Sequence, residues 1–397
     1  MIVTADRVIT GDGVTVIENG SVVLEGQKIL AVGPTAQLKE RYPGEEETVY
    51  EGCTLMPGMI DLHTHIGYYY GRPQEREFEE NPMLHAYFVQ KRMEETLKAG
   101  VTTIRDVSSA NGIGVTLKKA ASYGYIKAPR ILTSLQGICM TGGHGYNMKG
   151  AVIEADGVEE VRKAVRRDIR DGADCIKILT SEAYRGEEFS KEEIQAAVKE
   201  AHRFGKRIAA HAGYGTSIGD CIDAGCDTIE HGTHLTVMQA EQMKAADQTW
   251  VPTIYVFNAA YNAVCQVGCE DELLNDNRAY LKDTVDTYRE NFETLYRTGV
   301  RVATGTDTDC LNVDEASPVA GECAFFVEYG MPPVRAIECA TANGAYALGL
   351  GDTLGQLKEN YTADMIAVKG NPAEDITALC HVEAVYQAGR QTGFRQP

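Results

Sequence analysis

Met56-Pro57-Gly58-Met59-Ile60-Asp61-Leu62-His63-Thr64-His65 is a short apolar run that closes on two histidines one residue apart. On a β-strand, residues i and i+2 face the same side. His63 and His65 would then point together from the C-terminal end of a strand, close enough to share one metal ion. Taken alone, the pair is equally two polar residues at a strand end. The choice turns on whether further ligand-type side chains fall at other strand ends.

Beyond residue 58 the chain alternates between Val- and Ile-rich runs and longer amphipathic segments, the pattern of parallel strands with crossover helices. Strands are expected near Leu55–His65, Thr102–Val107, Arg130–Leu135, Cys175–Thr180, Arg207–His211, Thr228–His231, Trp250–Ile254 and Val300–Gly305. Helices are expected over Pro82–Ala99, Gly157–Asp171, Ser190–Phe204, Asp276–Thr298 and Pro333–Leu348. Eight such strands predict an α/β protein with a distorted (β/α)8 TIM barrel over residues 58–349. Residues 1–57 carry short β-like runs split by turns such as Gly11-Asp12-Gly13, which read as a small antiparallel sheet. Hairpin-like text returns after Leu350, so residues 1–57 and 350–397 are expected to form one small β-sandwich domain from both chain ends.

A barrel gathers its chemistry at the C-terminal ends of its strands. His63 and His65 end the first expected strand, Lys177 lies at the end of the fourth, His211 at the fifth and His231 at the sixth. Thr304-Gly305-Thr306-Asp307 ends the eighth. Each residue has a plain structural reading, but their coincidence on one rim points to a metal site. Lys177 sits between Ile176 and Ile178, where a charged ammonium is costly to bury. Burial favours the neutral amine, which is nucleophilic enough to add CO2. The resulting carbamate is anionic and has two oxygens able to bridge two cations, and such a pair acidifies a shared water.

His63-Thr64-His65, Lys177, His211, His231 and Asp307 resemble, in order and context, the amidohydrolase superfamily with a binuclear metal centre. The flanks Pro57–Asp61, Gly100–Asp106 and Gly172–Lys177, with the closing Ala363–Val368 and Asn371-Pro372, resemble its prolidase-like and imidazolonepropionase-related branch. The resemblance covers essentially the whole chain. It implies that His63, His65 and Asp307 hold one divalent ion and His211 and His231 the other. Carboxylated Lys177 bridges them, and Zn²⁺ suits the ligands best, with Mn²⁺, Fe²⁺ and Co²⁺ as alternatives. It implies hydrolysis of an amide-type C–N bond by a metal-bridging hydroxide, with Asp307 as general base and then acid. It also leans towards a homo-oligomer.

The substrate is less determined. Thr141-Gly142-Gly143-His144-Gly145 is a glycine-rich loop whose backbone can approach a ligand. His144 there resembles a histidine that meets a substrate carboxylate. Tyr255 is a second substrate-binding candidate, as hydroxyl donor to a carboxylate or to the developing oxyanion. Tyr214 and His234 are further rim residues. Arg105 is expected to pair with Asp106 or a neighbouring carboxylate. The Gly67–Glu80 loop is a candidate lid. Asp309, Asp314 and Glu315 add negative charge near the rim and would favour a basic leaving residue if they face the pocket.

The formal charge of −19 argues against nucleic acid or an anionic membrane as partner, because the surplus of Lys and Arg that neutralises phosphate is missing. No apolar run is long enough to span a bilayer, and no signal peptide is read at Met1–Asp6. The eleven scattered cysteines suit buried thiols in a reducing cytoplasm better than a disulfide framework. The favoured reading is a dipeptidase- or carboxypeptidase-like metallohydrolase acting on a small substrate such as a dipeptide or N-acyl amino acid. The alternatives are a cyclic-amide hydrolase of the imidazolonepropionase type, against which Lys177 counts, and a deaminase. A deaminase is disfavoured because Ala212-Gly213-Tyr214 follows His211 in place of the expected glutamate. A barrel kept only as a binding module is disfavoured by the intact ligand set.

Overall fold

In the computed structural model, Pro57 and Gly58 mark the point where the chain passes from one sheet to another. The structure describes residues 1–69, 72, 74–148, 150–182, 186–265, 278–308 and 317–393. The run expected as one strand, Leu55–His65, is two. Glu47–Pro57 belongs to the sheet of the chain ends, and Met59–Thr64 opens the barrel. The crossing needs a residue without a side chain, because a Cβ on Gly58 would lie 2.2 Å from the Thr102 hydroxyl oxygen.

Met59–Thr64, Val101–Asp106 and Arg130–Thr133 pair in parallel as one set. Gly137–Cys139, Cys175–Leu179, Arg207–Ala212, Thr228–His231, Thr249–Val251 and Arg301–Val302 pair in parallel as a second, with Val152–Glu154 at its edge. The sets meet on one side where the Leu62 amide donates to the Thr304 carbonyl at 3.0 Å and the Thr304 hydroxyl donates to the Ile60 carbonyl at 2.7 Å. On the other side the third barrel strand is broken. Its first piece pairs with the second strand and its second piece with the fourth. Leu135, at φ 64°, makes the break. The expected TIM barrel is therefore present, and this divided strand is its distortion. Inside and around it, Ile104, Ile138, Ile176, Ile178, Ile208, Ile229 and Trp250 belong to one buried apolar cluster. Burial of such side chains is the main force holding the strands in register.

The helices follow local signals. Lys191–Arg203 starts with a capping box between Ser190 and Glu193, and Gly157–Asp171 stops at Gly172 with φ 111°. Three expectations change. The segment Pro333–Leu348 is two helices, Pro333–Cys339 and Ala342–Ala347, parted at Thr341. The seventh strand stops at Val251, and a helix, Ile254–Cys265, begins where strand was expected. The 67–80 loop contains a short helix, Glu75–Glu80.

Both chain ends build one seven-stranded sheet. Ile2–Ile9, Val16–Glu25, Lys28–Pro34 and Glu47–Pro57 pair there with Met365–Lys369, Val382–Gln387 and Arg390–Gln391. It is mixed rather than antiparallel, because Ile2–Ile9 runs parallel to Glu47–Pro57. The helix Thr35–Arg41 supplies part of the crossover that a parallel neighbour requires.

Candidate metal centre

Strand alternation delivers the first pair of ligands. His63 and His65 are both buried at the end of Met59–Thr64, with ring centroids 5.2 Å apart. Asp307 follows the last barrel strand, and its amide donates to the His63 carbonyl at 2.8 Å. Its Oδ1 faces the Nε2 atoms of His65 at 3.3 Å and His63 at 3.7 Å. That oxygen is buried and makes no well-formed hydrogen bond among the described residues. One ligand atom from each of these three residues lies within 4.8 Å of the other two. A buried carboxylate oxygen left open opposite two imidazole nitrogens is the donor set a divalent cation takes.

Lys177 is buried on Cys175–Leu179, and its Nζ lies 3.4 Å from His63 Nε2. The His231 ring sits 4.9 Å from that of His63 and 4.5 Å from that of His211. The structure therefore brings His63, His65, Lys177, His211, His231 and Asp307 to one rim. His144 joins them, stacked on His211 with centroids 4.1 Å apart and planes at 24°. Its loop is held by carboxylates. Asp156 accepts the Thr141 amide, Glu154 the Gly142 amide and Glu188 the His144 amide. Tyr255 lies near the start of the Ile254–Cys265 helix, its ring against Gly321 and 6.2 Å from Phe325. Tyr214 and His234 pack together at 5.2 Å. Asp309, Asp314 and Glu315 lie outside the described residues.

Three ring Nδ1 atoms have fixed partners. His63 pairs with Glu230 at 2.7 Å, His65 with the Ser108 carbonyl at 2.9 Å and His231 with the Thr253 hydroxyl at 2.7 Å. With Nδ1 so engaged, Nε2 is the nitrogen left for a metal. Burial, then Lys177, holds the His63 pKa well below its usual value. Burial, then His144, does the same for His211. Burial brings His231 down to about 4 against the opposing pull of Asp307. For Asp307 burial acts upward, but the imidazoles of His63, His65 and His231 outweigh it and hold the carboxyl well below the usual carboxylate range. Imidazoles and a carboxyl whose pKa values all lie below the usual ones give up their protons readily, as metal binding needs.

The rim also holds residues that sequence reasoning missed. Glu230 is fully buried and joins His63 to Arg105, whose Nη2 lies 2.7 Å from Glu230 Oε1. A strand places adjacent residues on opposite faces, which would turn Glu230 away from His231. His231, however, has φ 64°, and that break lets both neighbours serve the same centre. Asp61 accepts the amides of His63 and Thr306 and the Thr306 hydroxyl, tying the first strand to the last. Burial raises its carboxyl to about 7. Glu322 accepts the Ile254 and Tyr255 amides at the start of their helix, and burial raises it to about 8. The neighbouring carboxylate that the sequence offers Arg105 as a partner is Glu230.

Comparison with known proteins agrees with this geometry. The amidohydrolase family model matches residues 54–392, and an imidazolonepropionase-like composite domain of bacteria matches residues 22–44. Ochratoxinase of Aspergillus niger is 31% identical over 422 aligned positions, covering 97% of this chain and 84% of that protein. Its crystal structure superposes with a TM-score of 0.86 at 30% identity, covering 98% of this chain and 94% of that one. A Xaa-Pro dipeptidase with methionine bound in its active site gives 0.85 at 28% identity, covering 98% of both chains. A prolidase complexed with N-methylphosphonate-L-proline gives 0.85 at 26% identity, covering 98% of this chain and 99% of that one.

Proposed function

This chain belongs to the amidohydrolase family, a hydrolase of C–N bonds in small substrates, and we propose that its substrates are dipeptides or N-acyl amino acids, compounds ending in a free amino-acid carboxylate. The observation that carries the metal-dependent reading is the open Oδ1 of Asp307 opposite the Nε2 atoms of His63 and His65. These three residues would hold one divalent ion, and His211 and His231 a second. Lys177, as its carbamate, would serve both. Imidazole, carboxylate and carbamate donors suit Zn²⁺.

Ions bound there would acidify a water and polarise the scissile carbonyl. The remaining work falls to the chain. Asp307, ionised and with its Oδ1 buried, would accept the water's proton and return it to the leaving nitrogen. His144, beside His211 on its carboxylate-anchored loop, would meet the substrate carboxylate, and Tyr255, near the start of the Ile254–Cys265 helix, would donate its hydroxyl. The ligands of the solved neighbours, methionine and a phosphonate of proline, support a substrate of this class. A cyclic-amide hydrolase is the second reading, favoured by the imidazolonepropionase-like match at residues 22–44. That stretch lies in the end sheet and not at the rim. Among the described residues no helix is long and apolar enough to cross a membrane. A cytoplasmic homo-oligomer completes the proposal.

The test is metal content per subunit of protein purified with bicarbonate, for wild type and Lys177→Ala in parallel, followed by a screen of dipeptides and N-acyl amino acids. About two ions in wild type, falling sharply in the variant, is the expected result. About one ion, unchanged in the variant, would make Lys177 structural and move cyclic-amide chemistry ahead.

A further inference from the structure

Among the described residues, Glu230 has three hydrogen-bond partners, Arg105, Thr228 and His63. Its Oε1 accepts from Arg105 Nη2 at 2.7 Å and from the Thr228 hydroxyl, while Oε2 faces His63 Nδ1 at 2.7 Å. Thr228 Oγ1 itself accepts from Arg105 Nη1 at 3.0 Å, which leaves its proton for Glu230. Arg105 Nε donates to the Leu62 carbonyl at 2.6 Å, which anchors the guanidinium to the strand carrying His63. Arg105 is 2% exposed and Glu230 fully buried. Removing such a pair from water costs several kcal/mol per ion, and an apolar pair of equal volume is often as stable. Stability alone does not account for it.

Resting on the two-ion reading above, we propose that Glu230, clamped by Arg105, is the positioning residue of the metal centre. It fixes His63 as the Nδ1–H tautomer and makes the position His63 shares with His65 and Asp307 the tighter of the two. The argument is one of hydrogen-bond capacity. With both carboxylate oxygens accepting, His63 Nδ1 carries the hydrogen, and Nε2 is left as a lone pair facing Lys177 and Asp307. His65 and His231 also have Nδ1 partners, but these are an uncharged carbonyl and an uncharged hydroxyl. Only the carboxylate adds negative charge behind the ring, and so strengthens its nitrogen as a donor to a cation. The tighter position is also the one whose three ligand atoms already stand together.

Glu230→Gln tests this with little change of volume. A glutamine has one acceptor oxygen where the site presents donors on both sides. If the oxygen faces Arg105, the amide faces His63 and forces hydrogen onto Nε2. If it faces His63, the amide opposes the guanidinium. Metal-free wild type is titrated with Co²⁺ by visible absorption and with Zn²⁺ by calorimetry, with Glu230→Gln beside it. Two binding steps are expected in wild type. In the variant the tighter step weakens by about 10- to 100-fold and the weaker step is nearly unmoved. A low-field Nδ1–H proton of His63, seen by NMR in the metal-free wild type, disappears with it. If Glu230→Gln does not fold, the double variant Arg105→Met/Glu230→Met removes both charges at similar volume and is read the same way. An unchanged tighter step in either variant overturns the proposal. Wild type that binds no metal overturns the reading of the site instead, and the proposal falls with it.

Discussion

At the C-terminal rim of the barrel, His63, His65, Lys177, Glu230 and His231 lie buried side by side. In the seven-stranded sheet of the chain ends the buried side chains are mostly apolar, among them Val3, Val8, Val22, Leu24, Leu55, Met365 and Tyr386. The backbone differs in the same sense. Ser108, His231, Thr253 and Asp307 all hold positive φ at the rim, where L side chains are strained. In the end sheet one comparable angle falls within a strand, at Asn19, and others fall at turns, as at Asn360 and Ala388. One region concentrates desolvated charge and strained backbone where a cation would compensate them. The other removes apolar area from water, which holds the fold. A substitution should therefore damage chemistry in the first region and stability in the second.

The largest effect that could break this contrast is at Asp307. Asp307→Asn is expected to lower kcat by about 10²- to 10⁴-fold while folding is preserved. The check is steady-state turnover alongside metal analysis and thermal unfolding. Near-full turnover with metal content intact would remove Asp307 as the base. A large fall in the unfolding temperature of the metal-free variant would make the rim a structural keystone, and the contrast would fail. The matching change in the end sheet is Leu55→Ala. Leu55 is fully buried, and truncation should cost about 2–5 kcal/mol in urea unfolding. The kcat of the folded fraction should stay at the wild-type value. A lowered kcat there would mean that the end sheet helps shape the site through the Gly58 junction.

The same contrast explains what could be read in advance. Alternation along a strand is a local rule, so His63 and His65 were legible from their spacing, and Lys177 from its apolar neighbours. Glu230 was not, because its use depends on the left-handed φ of His231, which reverses the face that the rule assigns. The third strand was legible as a strand. Its break at Leu135 was not, because the hydrophobic pattern runs through it unchanged. The parallel pairing of Ile2–Ile9 with Glu47–Pro57 hid behind hairpin-like turn signals, since pairing between strands so far apart in sequence leaves no local trace. The helix starting at Ile254 depends on Glu322, a carboxylate 68 positions away that accepts its first amides.

His85 gives the smallest effect and refines the contrast, because it is a buried titratable group away from the ligand cluster. It lies on the Pro82–Lys98 helix, packed against Tyr69 at 4.8 Å and Phe78 at 5.4 Å. Neither of its ring nitrogens has a hydrogen-bond partner among the described residues. Burial, with Arg92 adding to it, lowers its pKa to about 4. The folded-state value lies below the unfolded one, so as pH falls through about 6.5 the unfolded chain takes the proton first. Stability is then lost between about 6.5 and 4 and changes no further below that range. His231 contributes to the same window in metal-free protein, so wild type should lose stability there for more than one group. His85→Leu removes one contribution together with two unsatisfied nitrogens. It should gain about 1 kcal/mol at pH 7 and flatten the decline towards pH 5 by one group's share. Urea unfolding of metal-free wild type and variant at the two pH values decides it. A destabilised variant with an unchanged decline would show that His85 is satisfied in solution, and that the uncompensated polar groups are confined to the rim.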